Sequence, residues 1–200
     1  MVSTFSPFGP PVYISKVDPK YIAEMTAGME KSREDPDTYS NRDRLAGRIE
    51  EQYEILPHVS EACVGHIFQH VHQFWHDIGA IVPQEGEVGL DALWVNIQRY
   101  MEFNPQHKHT GMLSFVIYIK NELNRVETIN NKYDNARSSE LAGHLELKYG
   151  EESYLNWVNF THWPEEGDII MFPSWLQHMV YPHYEEEKKR ISVAGNIVAL

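Results

Sequence analysis

In "FNPQHKHTGMLSFVIYIK", from Phe103 to Lys120, two histidines, His107 and His109, stand one residue apart ahead of an apolar run that reads as a strand. Residues i and i+2 of a strand face the same way, so two imidazoles at this spacing can meet one metal ion. A His-x-His pair alone is weak evidence, because polar residues also gather at strand ends. Farther on, "PEEGDIIMFPSWLQHMVYPHYEEEKKRISVAGN" supplies a Gly167-Asp168 turn, an apolar strand ending in Phe172-Pro173-Ser174, and then His178. Arg190 follows twelve positions later, with Ser192 at i+2. Neutral imidazoles suit borderline first-row metal ions. A guanidinium fork binds a carboxylate through paired N–H groups, and a serine hydroxyl adds a further hydrogen bond. Each piece is ordinary by itself; in this order they offer a metal on one side and a carboxylate clamp on the other.

Strands must carry these residues. From Leu90 onward, "DALWVNIQRYMEF", "MLSFVIYIK", "GHLELKY", "YLNWVNFTHW", "GDIIMF", "QHMVYP" and "RISVAGNIVAL" are rich in β-branched and aromatic residues and are divided by Pro, Gly and Asn. No helix reads between them, so the pattern predicts an antiparallel sandwich or jelly roll. From Asp18 to about Ala80 the chain reads as helical. Asp18-Pro19 suits an N-cap and first turn. A second helix, about Val59 to Ile78, sets Val64, Ile67, Val71, Phe74 or Trp75, and Ile78 at helical spacing. These helices would cover one sheet. His66, His70, His72 and His76 lie off that stripe, and no local carboxylate or cysteine completes a metal set, so they read as a solvated face. His144, His162 and His183 carry no functional expectation, and His183, after a proline and before a charged run, reads as exposed. The polar stretch from Asn121 to Glu140 is long for a connection between strands, and a lid is expected there.

Composition narrows the function. Two hundred residues, 42% of them hydrophobic, are enough for a single domain, with helical support over about 18–80 and a β core over about 90–200. Seventeen basic against twenty-nine acidic residues give a net charge of -12, which repels nucleic acid and anionic membrane surfaces. A lone cysteine, Cys63, forms no internal disulfide. The opening "MVSTFSPFGPPVYISKV" lacks a signal-peptide pattern and no run of eighteen apolar residues occurs, so a cytoplasmic protein is expected.

The ordered set resembles the Fe(II)- and 2-oxoglutarate-dependent oxygenases, in particular the phage and bacterial branch related to prolyl 4-hydroxylases. The resemblance runs from about Leu93 to Ile197 and rests on "WVNIQRYMEFNPQHKHTGMLSFVIYI", "GDIIMFPSWLQHMVYPH" and "RISVAGN". It implies a double-stranded β-helix, or jelly-roll, core. His107, His109 and His178 would bind Fe(II), and 2-oxoglutarate would be held by Arg190 and Ser192, with Tyr118 and Asn96 beside it. It also implies that O2 is used to hydroxylate an unactivated C–H bond with release of succinate and CO2. The relation to prolyl 4-hydroxylases makes a peptidyl proline the leading substrate, although fold and cofactor alone do not fix it. His109 departs from the wider superfamily, which carries a carboxylate at that place. This leaves Glu146 or Asp168 as alternative third ligands.

Two other readings remain. A cupin-type metalloenzyme without 2-oxoglutarate would explain "GDIIMFPSWLQH", but Leu113 or Ser114 stands where a cupin's glutamate is expected. A non-catalytic jelly-roll binding module would explain the strands alone. Trp94, Trp157, Trp163 and Trp175 could wall a groove for an extended chain.

Overall fold

The computed structural model describes residues 3–5, 9–43, 45–80, 87–129, 140–154 and 156–200. In chain order the elements are β1 (Ser3–Phe5), β2 (Val12–Lys16), α1 (Pro19–Glu34), α2 (Pro36–Tyr39), β3 (Glu51–Glu54), a 3-10 turn (Leu56–His58) and α3 (Glu61–Asp77). Then follow β4 (Val88–Gln98), β5 (Asn104–His107), β6 (Leu113–Asn121), α4 (Arg125–Ile129), β7 (Leu145–Lys148), β8 (Asn159–His162), β9 (Asp168–Pro173), β10 (Gln177–Val180) and β11 (Arg190–Ala199). A seven-stranded sheet has the order β1-β2-β9-β6-β11-β4-β3, and a four-stranded sheet the order β5-β10-β7-β8. The strand pairs are antiparallel. This is the mainly β, jelly-roll architecture that the strand pattern predicts.

α1 starts where its cap predicts, and α3 starts at a cap of its own, Ser60. The Asp18 side chain accepts the Lys20 backbone N–H, and the Ser60 side chain accepts that of Cys63. Met25 and Met29 of α1 pack with Ile67, Val71, Phe74 and Trp75 of α3 against one face of the large sheet, where Leu93, Val95, Ile117, Ile191 and Val193 complete an apolar cluster. A smaller cluster lies between the sheets, with Tyr118, Ile170 and Phe172 from one and Leu145, Leu147 and Val180 from the other. Among the described residues no helix is long and apolar enough to cross a membrane.

Several expectations are corrected. The stretch from Asp18 to Ala80 is not wholly helical, because β3 runs through it and pairs with β4. His70 is not on a solvated face: it is 9% exposed and shares a 2.8 Å hydrogen bond with the hydroxyl of buried Tyr13. His183 is wholly buried, with its ring nitrogen 3.4 Å from the Gln98 carbonyl oxygen, because the segment around Met101 folds back on it. Part of the expected lid, 130–139, lies outside the described residues. The rest begins in the sheet and continues into α4, where buried Thr128 donates to Glu185.

Candidate metal centre

β5 ends on His107, and the antiparallel register sets it directly opposite His178 of β10. The ring centroids are 4.2 Å apart. His109 does not share a strand face with His107, as the i+2 spacing suggested, because β5 has already ended. It is turned in from the following loop, whose path is held by the His109 N–H donating to the Ser174 carbonyl at 2.9 Å. The three imidazoles nevertheless meet: each offers a ligand nitrogen, and these lie within 4.8 Å of one another. Among the described residues no carboxylate joins them. Asp168 is engaged by Lys16 at 2.7 Å, by His162 at 3.0 Å and by the Glu165 N–H. Glu146 accepts the Tyr181 hydroxyl at 3.0 Å.

The surroundings prepare these rings for a cation. His107 Nδ1 lies 2.6 Å from the Pro105 carbonyl oxygen and His178 Nδ1 lies 2.9 Å from that of Leu176. A carbonyl can only accept, so Nδ1 carries the proton in both rings and Nε2 keeps its lone pair, the tautomer a metal ligand needs. Burial lowers the pKa of all three histidines, His109 to about 4 and His178 to about 3, with the neighbouring imidazoles adding to the effect for these two. All three are therefore neutral donors at physiological pH. Trp94 and Phe172 flank the cluster, with ring centroids 5.8 Å from His109 and 4.9 Å from His178.

A second constellation stands deeper between the sheets. Arg190 is 2% exposed; one of its nitrogens donates to the Gly143 carbonyl, while its Nε is buried without a partner. Its guanidinium carbon lies 5.7 Å from the centre of the Tyr118 ring, and the Tyr118 hydroxyl is likewise buried and unpartnered. Burial lowers the Arg190 pKa and raises that of Tyr118 to about 12. No salt bridge reaches this arginine among the described residues. A buried cation beside an idle hydroxyl is a fitting cradle for one carboxylate. The register explains how the others arrive: Ser192 of β11 faces Tyr118 of β6 on one side and Asn96 of β4 on the other.

All seven residues singled out in the sequence, His107, His109, His178, Arg190, Ser192, Tyr118 and Asn96, line one cavity. Sequence reading missed other members of its wall: Leu45, Ala46, Gly47, Gln52, Asn104 and Ser114. Of the tryptophans, Trp94 is at the cavity, Trp163 packs on His144, and Trp157 and Trp175 are exposed, the latter in contact with Tyr149.

Comparison with known proteins gives the family and the fold. The profile of the 2OG-Fe(II) oxygenase family matches residues 92–196, which carry every one of the seven. No curated protein matches the chain in sequence. Among solved structures, a Pseudomonas putida prolyl-4-hydroxylase superposes with a TM-score of 0.62 at 15% identity, covering 94% of this chain and 92% of that one. The viral collagen prolyl hydroxylase of Paramecium Bursaria Chlorella virus-1, solved as its 2OG complex, gives 0.56 at 12% identity, covering 94% and 96%. At these identities the likeness is one of fold.

Proposed function

The chain belongs to the 2OG-Fe(II) oxygenase family, and we propose that it is a hydroxylase with His107, His109 and His178 as its iron ligands and Arg190, Ser192, Tyr118 and Asn96 as its 2-oxoglutarate site. Family membership makes it an oxygenase that uses Fe(II), 2-oxoglutarate and O2, and sets aside the cupin-type and binding-module readings. When bound, this set supplies the oxidising power to hydroxylate an unactivated C–H bond, with succinate and CO2 released. The protein's part is to hold and orient. The three neutral imidazoles would hold the ion as its protein ligands. The Arg190 fork and the Tyr118 and Ser192 hydroxyls receive the cosubstrate's far carboxylate, and Asn96 contacts it from β4. Walls from both sheets, including Trp94 and Phe172 of the larger and Leu145 of the smaller, would keep water from the reacting centre.

One observation carries this reading: the buried Arg190, which has no anionic partner among the described residues and whose Nε lacks a hydrogen bond. Anaerobic titration tests it. Replacing Arg190 by alanine should weaken 2-oxoglutarate binding by about 2–5 kcal/mol while iron binding changes little. Unchanged 2-oxoglutarate affinity would remove the assignment. The same titration examines His109. Three neutral ligands leave the site at +2, where a carboxylate would leave +1, so iron and the 2-oxoglutarate dianion should each tighten the other. Independent binding of the two would count against the three-histidine centre.

A peptidyl proline is the proposed site of hydroxylation. Its support is the naming of both superposed structures as prolyl hydroxylases, and mass spectrometry of proline-containing peptides after turnover decides it.

A further inference from the structure

The polar row that carries Tyr118, Ser192 and Asn96 does not end with them. The register continues it across the sheet to Gln52 of β3, which lies opposite Asn96. Gln52 is 1% exposed; its Nε2 donates to Asn96 Oδ1 at 2.7 Å, and its own Oε1 is buried with no partner. Asn104, at the start of β5 on the facing sheet, likewise has a buried and unpartnered Oδ1. The two amides converge beneath the Leu45–Gly47 segment. A Cβ added at Gly47 would run into the Asn104 amide oxygen and come within 3.2 Å of Gln52 Nε2. Glycine there lets the backbone pass over both amides without displacing them.

Buried acceptors are nearly always paired, and an orphan costs stability in every folded molecule. Two of them in the wall of one cavity, beside the histidine cluster, therefore point to an absent donor. What kind of donor follows from the rest of the wall. Among the described residues no aspartate or glutamate lines the cavity, so a cationic guest would find no counter-charge there. An anion already has its place at Arg190. A neutral N–H group is what remains. We infer that Gln52 and Asn104 form an acceptor pair that reads a backbone N–H of the primary substrate and so sets which bond faces the metal. This rests on the ligand and cosubstrate assignments proposed above, and it adds two specificity-determining residues that come from outside the histidine and arginine motifs.

The test uses the anaerobic Fe(II)·2-oxoglutarate holoenzyme, titrated calorimetrically with the blocked peptide acetyl-Ala-Ala-Pro-Ala-Ala-amide. It is then titrated with a series in which each backbone N–H in turn is replaced by an ester oxygen. One ester should lower affinity about tenfold, the scale of a single hydrogen bond. In Gln52→Leu or Asn104→Leu that difference should vanish, whatever the variant does to affinity as a whole, and Asn104→Ala serves if the leucine variant does not fold. A merely structural role would leave the ester-to-amide ratio untouched. The inference is overturned if no ester position matters, if the ratio persists undiminished in both variants, or if the peptide fails to bind while 2-oxoglutarate binds. Binding that depends on one N–H but leads to no hydroxylated proline in air supports the acceptor pair and removes the proline reading. Failure of the unmodified protein to bind 2-oxoglutarate overturns both.

Discussion

Along β11, Ile191, Val193 and Ile197 join the apolar cluster beneath the helices, whereas Arg190, Ser192, Ala194 and Asn196 face the cavity between the sheets. The same alternation runs through β4, with Leu93, Val95 and Ile97 on the helix side and Trp94 and Asn96 on the other. Both sets are buried, yet they solve different problems. The helix-side residues are packed by one another. The cavity-side residues leave Arg190 Nε, the Tyr118 hydroxyl and Gln52 Oε1 unpaired. One face of the sheet thus holds the molecule together, and the other carries buried polar groups without a protein partner among the described residues, which a ligand's polar atoms can satisfy.

Substitutions on the two faces should separate stability from binding. The largest stability effect belongs to the helix side: Phe74→Ala, at a wholly buried position, should lower unfolding free energy by about 3–5 kcal/mol. Denaturant titration measures that loss, and calorimetry at a temperature where the variant stays folded should find 2-oxoglutarate affinity unchanged. On the cavity side, Arg190→Met should act in the opposite sense. Exchanging an unpaired buried cation for an apolar side chain should stabilise the ligand-free protein by roughly 1–4 kcal/mol and abolish the rise in melting temperature that 2-oxoglutarate produces. A lower ligand-free melting temperature would break the distinction between the faces.

A third effect is a pH dependence that draws on both sides. Burial lowers the pKa of His70, on the buried side of α3, and of His183, near Arg190, each from 6.5 to about 4; His66 and Arg190 respectively add to the shift. Between those values the unfolded chain binds protons that the folded chain does not, so stability is complete above about pH 6.5 and is lost as pH falls toward about 4. Thermal melts across this window should show the decline, and His70→Gln and His183→Gln should each flatten it. A melting temperature constant from pH 7 to 5 would contradict it.

What could be read from the sequence followed the same division. The strand-turn punctuation around Gly167-Asp168 and Phe172-Pro173, and the i, i+2 pairing of Arg190 with Ser192, are local signals, so the jelly roll, the histidines and the Arg-Ser pair are legible together, whereas Tyr118 and Asn96 came only from the family resemblance. β3, "EQYE", is short, polar and an edge strand, and nothing in its composition distinguishes it from a helical segment or a loop. Gln52 was invisible for that reason, and its proximity to Asn104 comes only from the meeting of two sheets. His183 sits among proline and acidic residues that indicate a surface, and its burial comes from a distant segment that folds over it. His109 reaches the cluster from beyond the strand end, held by a backbone hydrogen bond to Ser174 that no periodicity encodes.

β11 lies between β4 and β6 in the sheet, although both precede it in the chain. During synthesis, then, β4 with β3, and β6 with β9 and the earlier β2 beyond it, are two half-sheets with unsatisfied edges until residues 190–199 emerge. This interior strand arrives after its neighbours and must be inserted between them, a long-range closure of the kind that slows folding and leaves edges open to other chains. It brings Arg190 and Ser192 with it. A nascent chain halted before this strand would therefore be both sticky and unable to clamp its cosubstrate. Its acquisition of that ability would report, in a ribosome-release experiment, the moment at which the sheet closes.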